Sequence, residues 1–159
     1  MPSASSSPSS SSTDRIERSV DIKASVDRVW KALTDHREFS QWFRVNLEGP
    51  FVPGRTTKGR IACPGYEHLV MEVEVVAIEP MRLFSYRWHP YAIDSAVDYS
   101  KEPPTLVEFR LEPTRDGCRL QVTESGFDRI PASRRDEAFR MNSGGWTEQV
   151  QNIAKHAQA

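Results

Sequence analysis

The chain predicts an α+β fold in which a curved antiparallel sheet carries one long C-terminal helix, and three observations lead to it. Several segments alternate apolar and polar residues and follow one another through short connections rich in glycine and proline. Two short amphipathic helical patterns stand directly after the first of these segments. A helical apolar stripe then runs through the last part of the chain.

The elements follow in order. From Arg15, the residues Ile16, Val20 and Ile22 alternate with Glu17, Ser19, Asp21 and Lys23, the period of a half-buried strand, with Arg18 interrupting the apolar side. Ser25 is a good N-cap, and Val26, Val29, Trp30 and Leu33 recur at helical spacing behind it. Asp35 with Glu38 three residues later has the form of a capping box, followed by the aromatic stripe Phe39, Trp42 and Phe43. Val45 and Leu47 suggest a brief strand, and residues 56–63 another. In "LVMEVEVVAI" Met71, Val73, Val75 and Ala77 share one face, and Pro80 ends the run. "LFSYRWH" sets Phe84, Tyr86 and Trp88 on one side, "TLVEFRLEP" groups Val107, Phe109 and Leu111, and "GCRLQVTES" groups Cys118, Leu120 and Val122. "PTRDG" reads as a hairpin connection between the last two. Helix signals begin at Pro131 or Ser133, and Phe139, Ser143, Trp146, Val150, Ile153 and Ala157 form the stripe.

Length and composition allow one domain: 159 residues, of which 38% are hydrophobic, accommodate a single core over residues 15–159 behind a Ser-rich tail at 1–14 that predicts disorder. Lys plus Arg (21) nearly balances Asp plus Glu (22), which removes any global bias toward nucleic acid or an anionic membrane. Neither a signal sequence nor a long apolar run is present, so a cytoplasmic protein is expected. Cys63 and Cys118 lack the spacing of a metal or redox motif, the four histidines lack ligand spacing, and no metal or cofactor is expected.

Within the C-terminal helix, "NSGGWTEQV" is anomalous. Gly144 and Gly145 each cost about 1 kcal/mol relative to alanine in a helix interior. Small residues there either let the helix approach an aromatic sheet closely or leave a space beside Trp146.

The order strand, two short helices, sheet and long helix resembles the helix-grip fold of the START-like (SRPBCC) superfamily, relatives of which include Bet v-type allergens and polyketide cyclases. The strings "SVDRVWKALTD", "HREFSQWF", "FSYRWHPY", "VEFRLEP", "LQVTESGFDRIP" and "GGWTEQVQNIAKH" are similar to the branch named for the activator of Hsp90 ATPase homologue 1. The resemblance implies a cavity between sheet and helix that holds an apolar or aromatic small molecule, and it supplies no shared catalytic motif.

Inward parity names the cavity candidates. They are Met71, Val73, Phe84, Tyr86, Trp88, Phe109, Leu111 and Leu120 from strands, with Gly144, Gly145, Trp146, Val150 and Ile153 from the helix. Two charged residues, Arg18 and Glu124, also fall on the inward side, where they would pair, orient a ligand, or reach solvent from a strand end. The connection from Pro90 to Pro104 is long, and Tyr91, Ile93, Val97 and Tyr99 are spaced to form a lid or a partner patch. The leading expectation is therefore a small-molecule-binding protein. A cyclase- or aromatase-like enzyme using Glu124, Arg18, Tyr86 or His89 is the first alternative, and a chaperone-associated interaction module, suggested by the branch name, is the second.

Overall fold

Two N-caps set the first third of the chain. Strand β1 (Arg15–Ile22) leads to Ser25, whose hydroxyl accepts from the Arg28 backbone N–H at 3.1 Å and starts helix α1 (Val26–Thr34). Asp35 ends α1 and begins α2 (His36–Phe43), its carboxylate accepting from the backbone N–H groups of Arg37 and Glu38. The expected capping box does not close. The Asp35 N–H already donates to the Lys31 carbonyl, so the Glu38 side chain is free to turn elsewhere. It accepts from Arg28 Nη1 at 2.6 Å and lies 2.9 Å from His156 Nε2, tying α1 and α2 to the end of the C-terminal helix.

The computed structural model describes residues 13–94 and 96–159, so the serine-rich stretch 1–12 lies outside them. After β2 (Val45–Leu47) come β3 (Thr56–Ile61), β4 (Val70–Glu79), β5 (Leu83–Trp88), β6 (Thr105–Pro113) and β7 (Cys118–Ser125). Every pairing is antiparallel, and the order across the sheet is β1-β7-β6-β5-β4-β3-β2, a meander from β2 to β7 closed by β1. Thr13 and Asp14 continue ahead of β1, and the Asp14 carbonyl accepts from the N–H groups of Gly126 and Phe127. At Gly59 the backbone of β2 passes so close that a Cβ would stand 2.2 Å from the Asn46 carbonyl oxygen, which only glycine avoids.

The pleat shifts once. A bulge between Val75 and Ala77 puts Val75 opposite Tyr86 and Ile78 opposite Phe84, so Ile78 rather than Ala77 continues the row that packs on the core. The strict alternation read through "VVAI" therefore fails at its last step. A bulge adds a residue without changing composition, so period-two counting does not detect it.

Helix α3 (Ala132–Gln158) lies across the inner face with Pro131 at its N-cap, and buries Ala138, Trp146, Val150, Ile153, Ala154 and Ala157. Aromatic rings fill most of the space between helix and sheet. Phe84 stacks on Phe109 with centroids 5.8 Å apart, Phe109 meets Trp146 at 5.7 Å, and Phe39 joins Phe51 at 5.3 Å. Each fully buried ring of this kind contributes roughly 1.5–3 kcal/mol.

The Glu38 cluster makes the fold acid-sensitive. Partial burial pushes its pKa up, but hydrogen bonds and charge from Arg28 and His156 outweigh that and leave it below its ordinary value of 4.5. The stabilisation is thus complete above 4.5 and is lost as pH falls through the lowered value. Urea unfolding between about pH 5 and 3 should show a shallower loss of stability in Glu38→Gln than in the parent.

Candidate functional site

Beneath the middle of α3, the side chain of Glu124 is completely buried and faces no cation among the described residues. Its two oxygens accept four hydrogen bonds. Oε1 takes Trp146 Nε1 at 2.8 Å and Asn142 Nδ2 at 2.9 Å, and Oε2 takes Trp88 Nε1 at 2.8 Å and Thr105 Oγ1 at 2.5 Å. Donors from β5, β6 and α3 thereby meet on β7. Asn142 and Trp146 are four residues apart on α3, so both side chains reach the same oxygen from one helix face. Burial raises the Glu124 pKa, opposed by the bonds from Thr105, Asn142, Trp146 and Trp88. When the group is protonated, the Thr105 hydroxyl can reverse and accept the proton's hydrogen bond.

Outside this carboxyl lies a small apolar recess of about 120 Å³ lined by Phe43, Trp88, Asn142, Gly145, Trp146 and Gln149. Three of these six residues are donors to Glu124. Phe43, Gly145 and Gln149 also line a polar groove of about 560 Å³ between α2 and α3, where Gln41, Arg44, Asn152 and Lys155 stand. Gly145 is the junction. A Cβ built there meets nothing within 4 Å, so its missing side chain leaves the recess open to the groove.

A family model described as "Activator of Hsp90 ATPase homolog 1-like protein" matches residues 23–158. The chain belongs to this family. No curated protein matches it in sequence. Among solved structures it is similar to protein MLL2253 from Mesorhizobium loti (23% identity, TM-score 0.70, covering 89% of this chain and 95% of that one). It is similar to DynU16, a protein in the dynemicin biosynthetic locus (26%, TM-score 0.69, covering 90% of this chain and 46% of that one). A third likeness is to the Aha1 dimer from Colwellia psychrerythraea (18%, TM-score 0.69, covering 91% and 96%). The seven-stranded antiparallel sheet with its long C-terminal helix is the helix-grip arrangement.

Of the candidate residues in this Hsp90-activator-like domain, Trp88, Gly145 and Trp146 line the recess, and Glu124 lies behind it. Met71, Val73, Phe84, Tyr86, Phe109, Leu111, Leu120, Val150 and Ile153 belong to the packed core. Tyr86 is the unusual member. Its buried hydroxyl finds no hydrogen-bond partner among the described residues, and burial followed by the Glu124 charge raises its pKa well above 10.0. Gly144 is exposed, and a Cβ on it also meets nothing within 4 Å, so close approach of helix to sheet explains neither glycine.

Arg18 and Glu124 do not pair, and Glu124 does not reach solvent. Arg18 instead crosses from β1 to α3, donating from Nε to Thr147 Oγ1 and from Nη2 to the Ser143 hydroxyl and carbonyl. The long connection is clamped rather than draped over the recess. Arg134, at the start of α3, pairs with Glu102 at 2.7 Å, donates to the carbonyls of Pro90 and Tyr91, and stands 4.7 Å from the Tyr99 ring centre. Tyr91 packs on the core with φ 51°, while Ile93 and Val97 remain exposed. Ala92 and Tyr99 border a separate groove of about 440 Å³ that reaches Glu72 and Glu74 on the outer side of β4.

Phe43, Asn142, Gln149 and Thr105 escaped the sequence-based selection. Asn142 carried a signal in its helical spacing from Trp146. Thr105 carried one too, since it lies two residues before Val107 and so shares the inward parity of Val107 and Phe109, and Val107 stands opposite Glu124.

Two outcomes are expected. Glu124→Ala strands four donors, three of them on large or buried side chains, and should lower unfolding free energy by about 3–5 kcal/mol in urea titrations. Gly144→Ala should raise it by about 0.5–1 kcal/mol, because an exposed helical methyl meets no obstacle.

Proposed function

We propose that this Hsp90-activator-like domain binds a small molecule whose apolar or aromatic end enters the recess between Trp88 and Trp146. Family membership fits a ligand-binding domain, and the open junction at Gly145 is the observation that carries the finer reading. An apolar cavity of roughly 150 Å³ accommodates benzene, so a recess of about 120 Å³ that opens into a wider groove is of the size for one ring or a short chain end. Polar parts of the same molecule would lie along Gln41, Arg44, Gln149 and Asn152 in the groove. The location of DynU16 in a biosynthetic locus supports a small-molecule role.

A proton-transferring enzyme is the second reading, favoured by one observation: a buried carboxyl with a raised pKa directly behind the recess. Both its oxygens are occupied by donors, so that reading requires an indole to move before Glu124 meets a substrate. Partnership with a chaperone draws on the family description alone.

Gly145→Phe fills the junction from the helix while leaving the core untouched. It should weaken binding of a hydrophobic fluorescent probe by about tenfold or more with an unchanged circular dichroism spectrum, whereas Gly144→Phe on the exposed side should not. Equal probe affinity in parent and Gly145→Phe would remove the recess as the binding site.

A further inference from the structure

The indole N–H groups in the wall of the recess point away from its space. Trp88 Nε1, Trp146 Nε1 and Asn142 Nδ2 all end on Glu124, and the two indoles present only ring surface to whatever enters. We infer that Glu124 sets the polarity of the wall formed by the two tryptophans: by engaging both indole N–H groups it leaves that wall no N–H for a guest, so the end held between Trp88 and Trp146 is a ring or chain free of polar groups, while polar groups nearer the mouth can meet Asn142 and Gln149. This inference rests on the recess being the ligand site, as proposed above. Glu124 acts through the lining residues and is a positioning residue.

The donor types make the carboxyl hard to replace. Each oxygen serves one indole and one smaller partner, Trp146 with Asn142 on Oε1 and Trp88 with Thr105 on Oε2. A hydroxyl can exchange donating for accepting, and a side-chain amide can flip, but an indole N–H only donates. In Glu124→Gln one oxygen becomes an NH₂ group. Whichever way that amide turns, it faces one indole N–H, and that indole loses its acceptor. Replacing Trp88 by phenylalanine as well removes one of the two conflicting donors and lets the amide oxygen serve Trp146.

The test compares the parent, Glu124→Gln, Trp88→Phe and the double variant. Without ligand, NMR should show both Trp88 and Trp146 indole protons protected from exchange in the parent. One of the two should exchange about tenfold faster or more in Glu124→Gln, and Trp146 should be protected again in the double variant. With ligand, toluene and phenol titrations should give a phenol-to-toluene affinity ratio about fivefold higher in Glu124→Gln than in the parent, falling back in the double variant. An unchanged ratio, or two protected indoles in Glu124→Gln, overturns the inference while leaving the recess as a site. A parent that binds neither probe overturns the ligand reading and this inference with it. Should Glu124→Gln fail to fold, the double variant must be the more stable of the two, and a double variant no more stable than Glu124→Gln also overturns it.

Discussion

A buried carboxyl with no cation beside it among the described residues is the constraint around which the centre of this molecule is arranged. Taking Glu124 out of water costs several kcal/mol unless other groups replace the lost hydration. Here the replacement consists of four N–H and O–H donors from three different elements. Those donors fix the rings of Trp88 and Trp146, and the rings form the inner wall of the recess. Packing, polar satisfaction and the shape of the site are therefore one arrangement. Tyr86 marks its limit, because its hydroxyl shares the low-polarity interior and finds no hydrogen-bond partner among the described residues.

Two clamps hold the surrounding frame. Glu38 gathers Arg28, Lys31 and His156, joining both short helices to the far end of α3. Arg134 fixes the connection between β5 and β6 to the first turn of the same helix. Anchored at both ends, α3 can carry two mid-helix glycines without a local packing partner. The groove thus opens where one residue is small on a helix whose position is set elsewhere.

Much of the fold was legible because it depends on short-range periodicity. Caps at Ser25 and Asp35 and the alternation in β6 agree with the structure, as does that in β5 and β7 except at Ser85 and Thr123, which are buried on the opposite face. The site was less legible. Inward parity selected the sheet aromatics Phe84, Tyr86, Trp88 and Phe109, yet parity does not separate a ring packed against other rings from one facing empty space, and most of those selected are packed. Gln149 and Phe43 border the recess through the angle between α2 and α3, which no local pattern encodes.

By itself, the sequence determined the element order, the apolar faces, the caps and the presence of an unusual diglycine before a tryptophan, since each follows from the chemistry of neighbouring residues. Tertiary structure decided what those features are for. The four partners of Glu124, the destination of Arg18, the bulge after Val75 and the open side of Gly145 all depend on which residues distant in the chain become neighbours. Hydrogen bonds and free space are properties of that meeting, and a linear pattern carries no record of them.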